Sequence, residues 1–394
     1  MNFHRLDDLD LQGKKVLIRV DFNVPLENGK VADDFRLRAH VPTIQRALSK
    51  GASVVLASHL GRPEGKADPK FSLKPLVEPL SGLLGKPVAF ASDCVGPEAE
   101  KAARELPAGG VLLLENLRFH PEEEKNDEGF ARKLLALCDA YVNDAFATAH
   151  RAHASVEAAA RLFPGKSAGL LLEKEIDVLS ALLLNPIRPL VAVIGGAKIS
   201  TKIGVLKSLA AKVDALLVGG AMANTFLGAL GFEVGSSLTE PDKYDLALEI
   251  LETALDAGVQ VLLPVDLVCS AKGQEGGVYL HTMASKFLTP DVAACDIGPE
   301  TRARFARAIE EAGTVVWNGP MGLFEQEAFL GGTLAVAQAV ASCQGLSIVG
   351  GGETVEAMHH LGLAHKVGHL STGGGAFLEW LEGRKLPGIE VLKK

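Results

Sequence analysis

The chain has no run of eighteen or more apolar residues, which excludes an ordinary membrane-spanning helix. Its first residues, MNFHRLDDLD, carry no apolar stretch behind a basic one, so a cytoplasmic protein is expected rather than a secreted one. Cysteine is sparse: Cys94, Cys138, Cys269, Cys295 and Cys343 are odd in number, widely spaced and without a C-x-x-C pair. That pattern argues against a disulfide framework, a zinc ribbon or thiol redox chemistry, and for packing roles. Positive charge is not in excess either, since the formal net charge is -8, so nucleic acid is not the expected partner. Familiar nucleotide signatures are missing too. A Walker A loop cannot be laid over GGAKISTKIG, there is no clean G-x-G-x-x-G, and VDFN is not accompanied by the catalytic loop of protein kinases.

What is present begins with length: 394 residues exceed what one hydrophobic core usually holds, so two domains are expected. Short β-branched and leucine-rich runs alternate with longer amphipathic ones, the pattern of repeated βα units around parallel sheets. The first half offers KKVLIRVDF, SVVLASH, VAFA, GVLLLENL and AYVND as strands; the second offers RPLVAVIGG, DALLVGG, QVLLPVDLV, TVVWNG, LSIVGGG and VGHLSTGGG. A helical pattern ending at Asn185-Pro186 marks the boundary, with a new strand after Pro189. The expected division is residues 1–172, a connecting helix and hinge over 173–188, and a second domain over 189–377.

In open parallel sheets, ligands bind beyond the carboxyl ends of the strands. First-half strands end in cation-rich text, with Asp21 and Asn23, His59 and Arg62, Arg118, and Arg151 at successive ends, and eleven of the sixteen arginines precede residue 170. Converging guanidinium forks match phosphate and carboxylate oxygens. His150 and His153 lack a third metal ligand at suitable spacing. Second-half strands end instead in glycine: Gly195-Gly196, Gly219-Gly220, Gly350 to Gly352 and Gly373 to Gly375. Glycine there lets phosphate approach backbone N–H groups at a helix start. Lys198 and Lys202, four apart, would face the same way at the start of a helix, a placement that becomes favourable only if a polyphosphate lies against those amides.

The blocks VDFNVPL, SHLGRP, LLLENLRF, DAFATAHRAHAS, GGAKISTKI, WNGPMGLFE, GGGET and STGGGA, in that order, give a chain that resembles the phosphoglycerate kinase family over essentially its full length. The resemblance implies an α/β enzyme of two doubly wound, Rossmann-like parallel-sheet domains, monomeric, moving a phosphoryl group reversibly between 1,3-bisphosphoglycerate and ADP to give 3-phosphoglycerate and ATP. It implies that Asp21, Asn23, His59, Arg62, Arg118 and Arg151 hold the glycerate ligand, and that Arg36 reaches the phosphoryl in flight. Lys198, Lys202, Gly219, Gly220, Gly351, Gly352, Glu353 and Thr354 would hold the nucleotide's phosphates and Mg²⁺, and Glu325 its ribose. Glu353 would serve the metal directly or through a water. Gly373 and Gly374 would present a helix N-terminus to the transferring group, and the tail 378–394 would fold back onto the first domain. Two positions depart from the commonest pattern: Thr201 and Glu353 stand where aspartate is usual. The alternatives are a kinase of another small carboxylate and a nucleotide-binding homologue with impaired catalysis.

Overall fold

The computed structural model describes residues 2–272, 278–284 and 288–394, the side chains of 271–272 and 278–284 excepted. The chain forms two compact units, Met1–Ser180 with Lys385–Lys394, and Ala181–Arg384. No described helix is long and apolar enough to cross a membrane.

In the first unit, β1 (Lys15–Arg19) is followed by the small hairpin β2 (Leu26–Glu27) and β3 (Lys30–Val31), then β4 (Ser53–Ala57), β5 (Val88–Phe90), β6 (Val111–Leu113), β7 (Ala140–Asn143) and β8 (Lys166–Ala168). Six of these form one parallel sheet in the order β5-β6-β4-β1-β7-β8. β4 and β7 are buried at every position, as continuous apolar runs covered on both faces must be. Val16, Ile18, Val54 and Leu56 pack with Leu37 and Ile44 of the helix Phe35–Ser49. Arg19 pairs in register with both Ala57 and Asn143, so the residues following β1, β4 and β7 emerge level at one edge. The chain leaves β1 on one side and returns on the other as β7, which opens a crevice at that edge.

The second unit repeats the plan with β9 (Leu190–Ile194), β10 (Ala215–Val218), β11 (Gln260–Leu262), β15 (Thr314–Asn318), β16 (Leu346–Val349) and β17 (His369–Leu370), in the parallel order β11-β10-β9-β15-β16-β17. It adds β12 (Asp266–Lys272), β13 (Val278–Ala284) and β14 (Val292–Ile297), an antiparallel sheet in the order β13-β12-β14. The run QVLLPVDLV, expected as one strand, is therefore two strands of different sheets. Pro264 lies between them and has no N–H with which to continue a ladder.

A helix, Leu170–Leu184, spans the division between the units. Its N-terminus is capped from afar: Asp144 Oδ1 accepts from the amides of Leu171 (3.0 Å) and Leu172 (3.3 Å), and Thr43 Oγ1 accepts from Leu170. The helix Gly374–Leu381 belongs to the second unit, so the segment that joins the first begins at Lys385 rather than at 378. There Gly388 N–H donates to Ala149 O (2.9 Å), and Phe3 bridges Lys393. Asp144 Oδ2 also accepts from His40 Nδ1 at 2.7 Å. Asp144→Ala strands a buried imidazole and two helix amides, and should lower unfolding free energy by on the order of 3 kcal/mol, read by urea titration.

Candidate active site

At the first unit's crevice, Asp21 follows β1 and is 3% exposed. Its amide donates to His40 Nε2 (2.9 Å), its Oδ1 accepts from Asn23 N–H (3.1 Å), and its Oδ2 takes Arg36 NH1 at 2.5 Å. Burial alone would raise the Asp21 pKa, but nearby positive charge, Arg36 foremost and then Arg19, holds it below the usual range. Asn23 Oδ1 accepts from Gly61 N–H at 2.8 Å, which ties the loops after β1 and β4 together. His59 is buried, and desolvation with the nearby guanidinium groups of Arg19, Arg118 and Arg36 drives its pKa well below 6.5 despite Asp21. It is a neutral hydrogen-bonding group.

Arg118 rides on the 3-10 turn Leu117–Phe119 after β6, whose start Asn116 caps, and donates to Gly61 O at 2.9 Å. Burial and then the charges of Arg19 and Arg151 lower its pKa to about 10. Its Nε lies 3.2 Å from Glu124 Oε1 without making a hydrogen bond. His150 Nδ1 and His153 Nδ1 are likewise buried without a hydrogen-bond partner. Desolvation and neighbouring Arg charges lower His150 to about 4 and His153 to about 3, so neither adds charge near neutrality. Arg151, half-buried, donates from Nε to His150 Nε2 (3.2 Å), and Arg62 is exposed in the loop after β4.

Beneath these groups lies a residue the sequence reading passed over. Arg19, the last residue of β1, is fully buried, donating to Ser155 Oγ (3.1 Å) and Val20 O (2.6 Å), with NH2 4.0 Å from the fully buried Glu123. Ser155 sits in a π turn, Ala154–Ala158, and both its amide and hydroxyl donate to Glu123. Burial raises the Glu123 pKa in spite of Arg19. In sequence Arg19 is one polar residue inside an apolar strand, and that was the only signal for it.

In the second unit, Lys202 reaches back to the crevice between β9 and β15: Nζ donates to Gly195 O (2.6 Å) and Asn318 O (3.2 Å). Burial lowers its pKa to about 8, with Glu353 opposing. Lys198 is exposed and precedes a 3-10 turn, Ile199–Thr201, and the α-helix starts only at Ile203. The two lysines therefore do not share a helix face. Like charges are kept apart by the turn, which Thr201 closes by donating to Lys198 O at 2.8 Å.

The glycines do two different jobs. Side chains at Gly195, Gly219 or Gly220 would collide with the Gly319–Met321 loop or with Gly196, so these glycines allow loop to pack on loop. Gly352 has open space above it, and the helices Gly352–His360 and Gly374–Leu381 begin side by side, a Gly374 Cβ falling 3.4 Å from Gly352 N. Gly373 N–H is held by Ser371 Oγ, and Thr354 Oγ1 accepts from Gly319 N–H at 2.7 Å. Asn318, also missed from the sequence although it stands in the block WNGPMGLFE, donates to Gly350 O while its own Oδ1 is buried and unpartnered. A cleft of about 350 Å³ adjoins, lined by Gly196, Gly220, Leu238, Ala294, Pro320 and Leu323, with Glu325 and Glu353 both exposed. The antiparallel sheet supplies its far wall. An apolar slot leading to a desolvated ammonium and two helix N-termini suits a base and sugar followed by phosphates.

A phosphate chain beside Lys202 should raise its pKa, so nucleotide binding at about pH 9 should take up close to one proton per chain. Calorimetry in buffers of different ionisation enthalpy measures this. Lys202→Met should abolish the uptake, and no uptake by the unaltered protein would remove Lys202 from phosphate contact.

A sequence model of the family described as phosphoglycerate kinase matches residues 6–384. The phosphoglycerate kinase of Moorella thermoacetica is 55% identical over 388 residues, covering 98% of each chain. The cytosolic phosphoglycerate kinase of Triticum aestivum is 51% identical over 98% of this chain and 97% of its own. The solved structure of phosphoglycerate kinase from Coxiella burnetii superposes with a TM-score of 0.89 at 44% identity, covering 99% of this chain and 98% of that one. With the fold, the order of blocks and full-length relatives agreeing, the chain belongs to the phosphoglycerate kinase family.

Proposed function

We propose that the arginine-lined crevice holds a phosphorylated glycerate and the glycine-lined crevice a magnesium nucleotide, and that the chain transfers a phosphoryl group between them. The reaction is the reversible exchange between 1,3-bisphosphoglycerate with ADP and 3-phosphoglycerate with ATP. What supports this reading is that each unit holds a cation out of water at the carboxyl edge of its parallel sheet: Arg118, whose buried Nε has no hydrogen-bond partner, and Lys202, whose Nζ donates to the carbonyls of Gly195 and Asn318; burial lowers both pKa values. Anionic ligands supply the difference. A kinase of another small carboxylate needs fewer guanidinium groups, and loss of catalysis is disfavoured by the presence of both Arg36 and Lys202.

In this mechanism a carboxylate oxygen of 3-phosphoglycerate attacks the terminal phosphorus of ATP, and an ADP oxygen attacks in the reverse direction. Neither nucleophile carries a proton to be removed, so no general base is required, and neutral His59 acts as a binder with Asp21, Asn23, Arg62, Arg118 and Arg151. Negative charge spreads over the three equatorial oxygens in flight. Arg36, Lys202 and the amides near Gly374 stabilise it. Glu353, an exposed carboxylate in the first turn of its helix and close enough to Lys202 to raise that lysine's pKa, offers the oxygen donor that Mg²⁺ prefers, beside the phosphates. When bound, the ion neutralises phosphate charge. Lys198, Gly351, Gly352 and Thr354 line the phosphate path, Gly219 and Gly220 shape its floor, and Glu325 meets the ribose. The two sets of residues belong to different units, so transfer is proposed to require closure about a hinge over 173–188, which also excludes water from the acyl phosphate. The enzyme is proposed to act as a cytoplasmic monomer.

ATP consumption should require both 3-phosphoglycerate and magnesium, and acetate should not replace the glycerate; equal rates with acetate would overturn the substrate assignment. Arg36→Ala should lower kcat by about 10²- to 10³-fold with a much smaller change in KM. An unchanged kcat would leave Arg36 a binder only. Small-angle scattering should show compaction when both ligands are present and not with either alone.

A further inference from the structure

At the carboxyl edge of the first unit, the bend after β5 and the segment after β6, two residues beyond Arg118, bring Asp93, Cys94 and His120 together, with one ligand atom of each within 4.8 Å of the others. We propose that these three side chains form a binding site for one thiophilic divalent cation of the zinc class, a site independent of the phosphoryl-transfer reading. His120 Nε2 stands 2.7 Å from Asp93 Oδ1, and the same oxygen accepts the Cys94 amide at 2.6 Å, so the carboxylate is oriented before any ion arrives. The imidazole is braced against Phe130, ring centroids 5.3 Å apart, and His120 immediately precedes the short helix Pro121–Glu124.

The chemistry of the donor set selects the ion. One thiolate, one imidazole and one carboxylate suit zinc or cobalt and are poor ligands for magnesium, which prefers oxygen. Three protein ligands leave a fourth tetrahedral position for water. Access exists, because the Asp93 and His120 side chains are 43% and 29% exposed while Cys94 forms the buried floor. The ion takes the place of the Nε2–Oδ1 hydrogen bond: the ring binds through Nε2 with its proton moved to Nδ1, and the Cys94 thiol gives its proton to solvent. Because the thiol binds as thiolate, affinity should increase with pH as each bound ion displaces that proton.

Cobalt(II) titration of the untagged full chain tests the site. One equivalent should produce a sulfur-to-cobalt charge-transfer band in the near ultraviolet with the intense visible absorption of tetrahedral cobalt. Zinc should bleach both bands, and excess magnesium should leave them unchanged. Cys94→Ala should abolish the charge-transfer band although four other cysteines remain. His120→Ala, at a part-exposed position that leaves the core intact, should weaken cobalt binding at least tenfold. Absence of a charge-transfer band from the unaltered chain, or a band that survives unchanged in both variants, would overturn the proposal.

Discussion

Cations withdrawn from water without enough opposite charge are the condition on which both crevices rest. Arg118 is pressed by Arg19 and Arg151 more than it is relieved by Glu124, and Lys202 has two carbonyl oxygens and a single carboxylate, Glu353, in its field. Such groups weaken the ligand-free fold, and the sheet edge holds them there. In the proposed function they would strengthen phosphate binding, since desolvation of the cation has already taken place during folding.

The first unit tolerates its cluster because part of it is compensated from below. Fully buried Glu123 faces Arg19, Asp21 engages Arg36, and His59, His150 and His153 are held neutral by burial and the neighbouring guanidinium groups. The final segment contributes as well: Gly388 O lies 3.4 Å from Asn143 Nδ2 and its amide holds Ala149 O, directly behind the loop that carries His150 and Arg151. The second unit builds its crevice mostly from backbone, packing glycine loops against one another beside Lys202.

Much of this was readable in one dimension. Continuous apolar runs gave the central parallel strands of both sheets because burial on two faces leaves no alternation to misread, whereas the short edge strand β8, KSA, has no such run and was not read; polar text after β1, β4, β6 and β7 located the arginines. Other features depend on partners far along the chain. The role of Arg19 needs Glu123 and Ser155, and the cap of the Leu170–Leu184 helix needs Asp144 and Thr43. Lys198 and Lys202 were expected on one helix face because spacing does not reveal that the intervening residues take a 3-10 turn. The antiparallel sheet was hidden by a run whose apolar character continues through Pro264 while its backbone changes sheets. Gly195, Gly219 and Gly220 stood out correctly as special positions, but their main constraint is loop contact, a distinction that composition does not carry. Thr201 has a local task in closing its turn.

The strongest consequence is that the lysine needed for the nucleotide should be a liability without it. Thermal unfolding of Lys202→Met, alone and with magnesium nucleotide, measures this directly. The variant should melt above the parent when unliganded and gain little or nothing from nucleotide, whereas the parent should be stabilised by it. A variant that melts below the unliganded parent, or that is stabilised by nucleotide as much as the parent is, would mean that the carbonyls of Gly195 and Asn318 already satisfy the ammonium, contradicting the idea of a cation held in wait for phosphate.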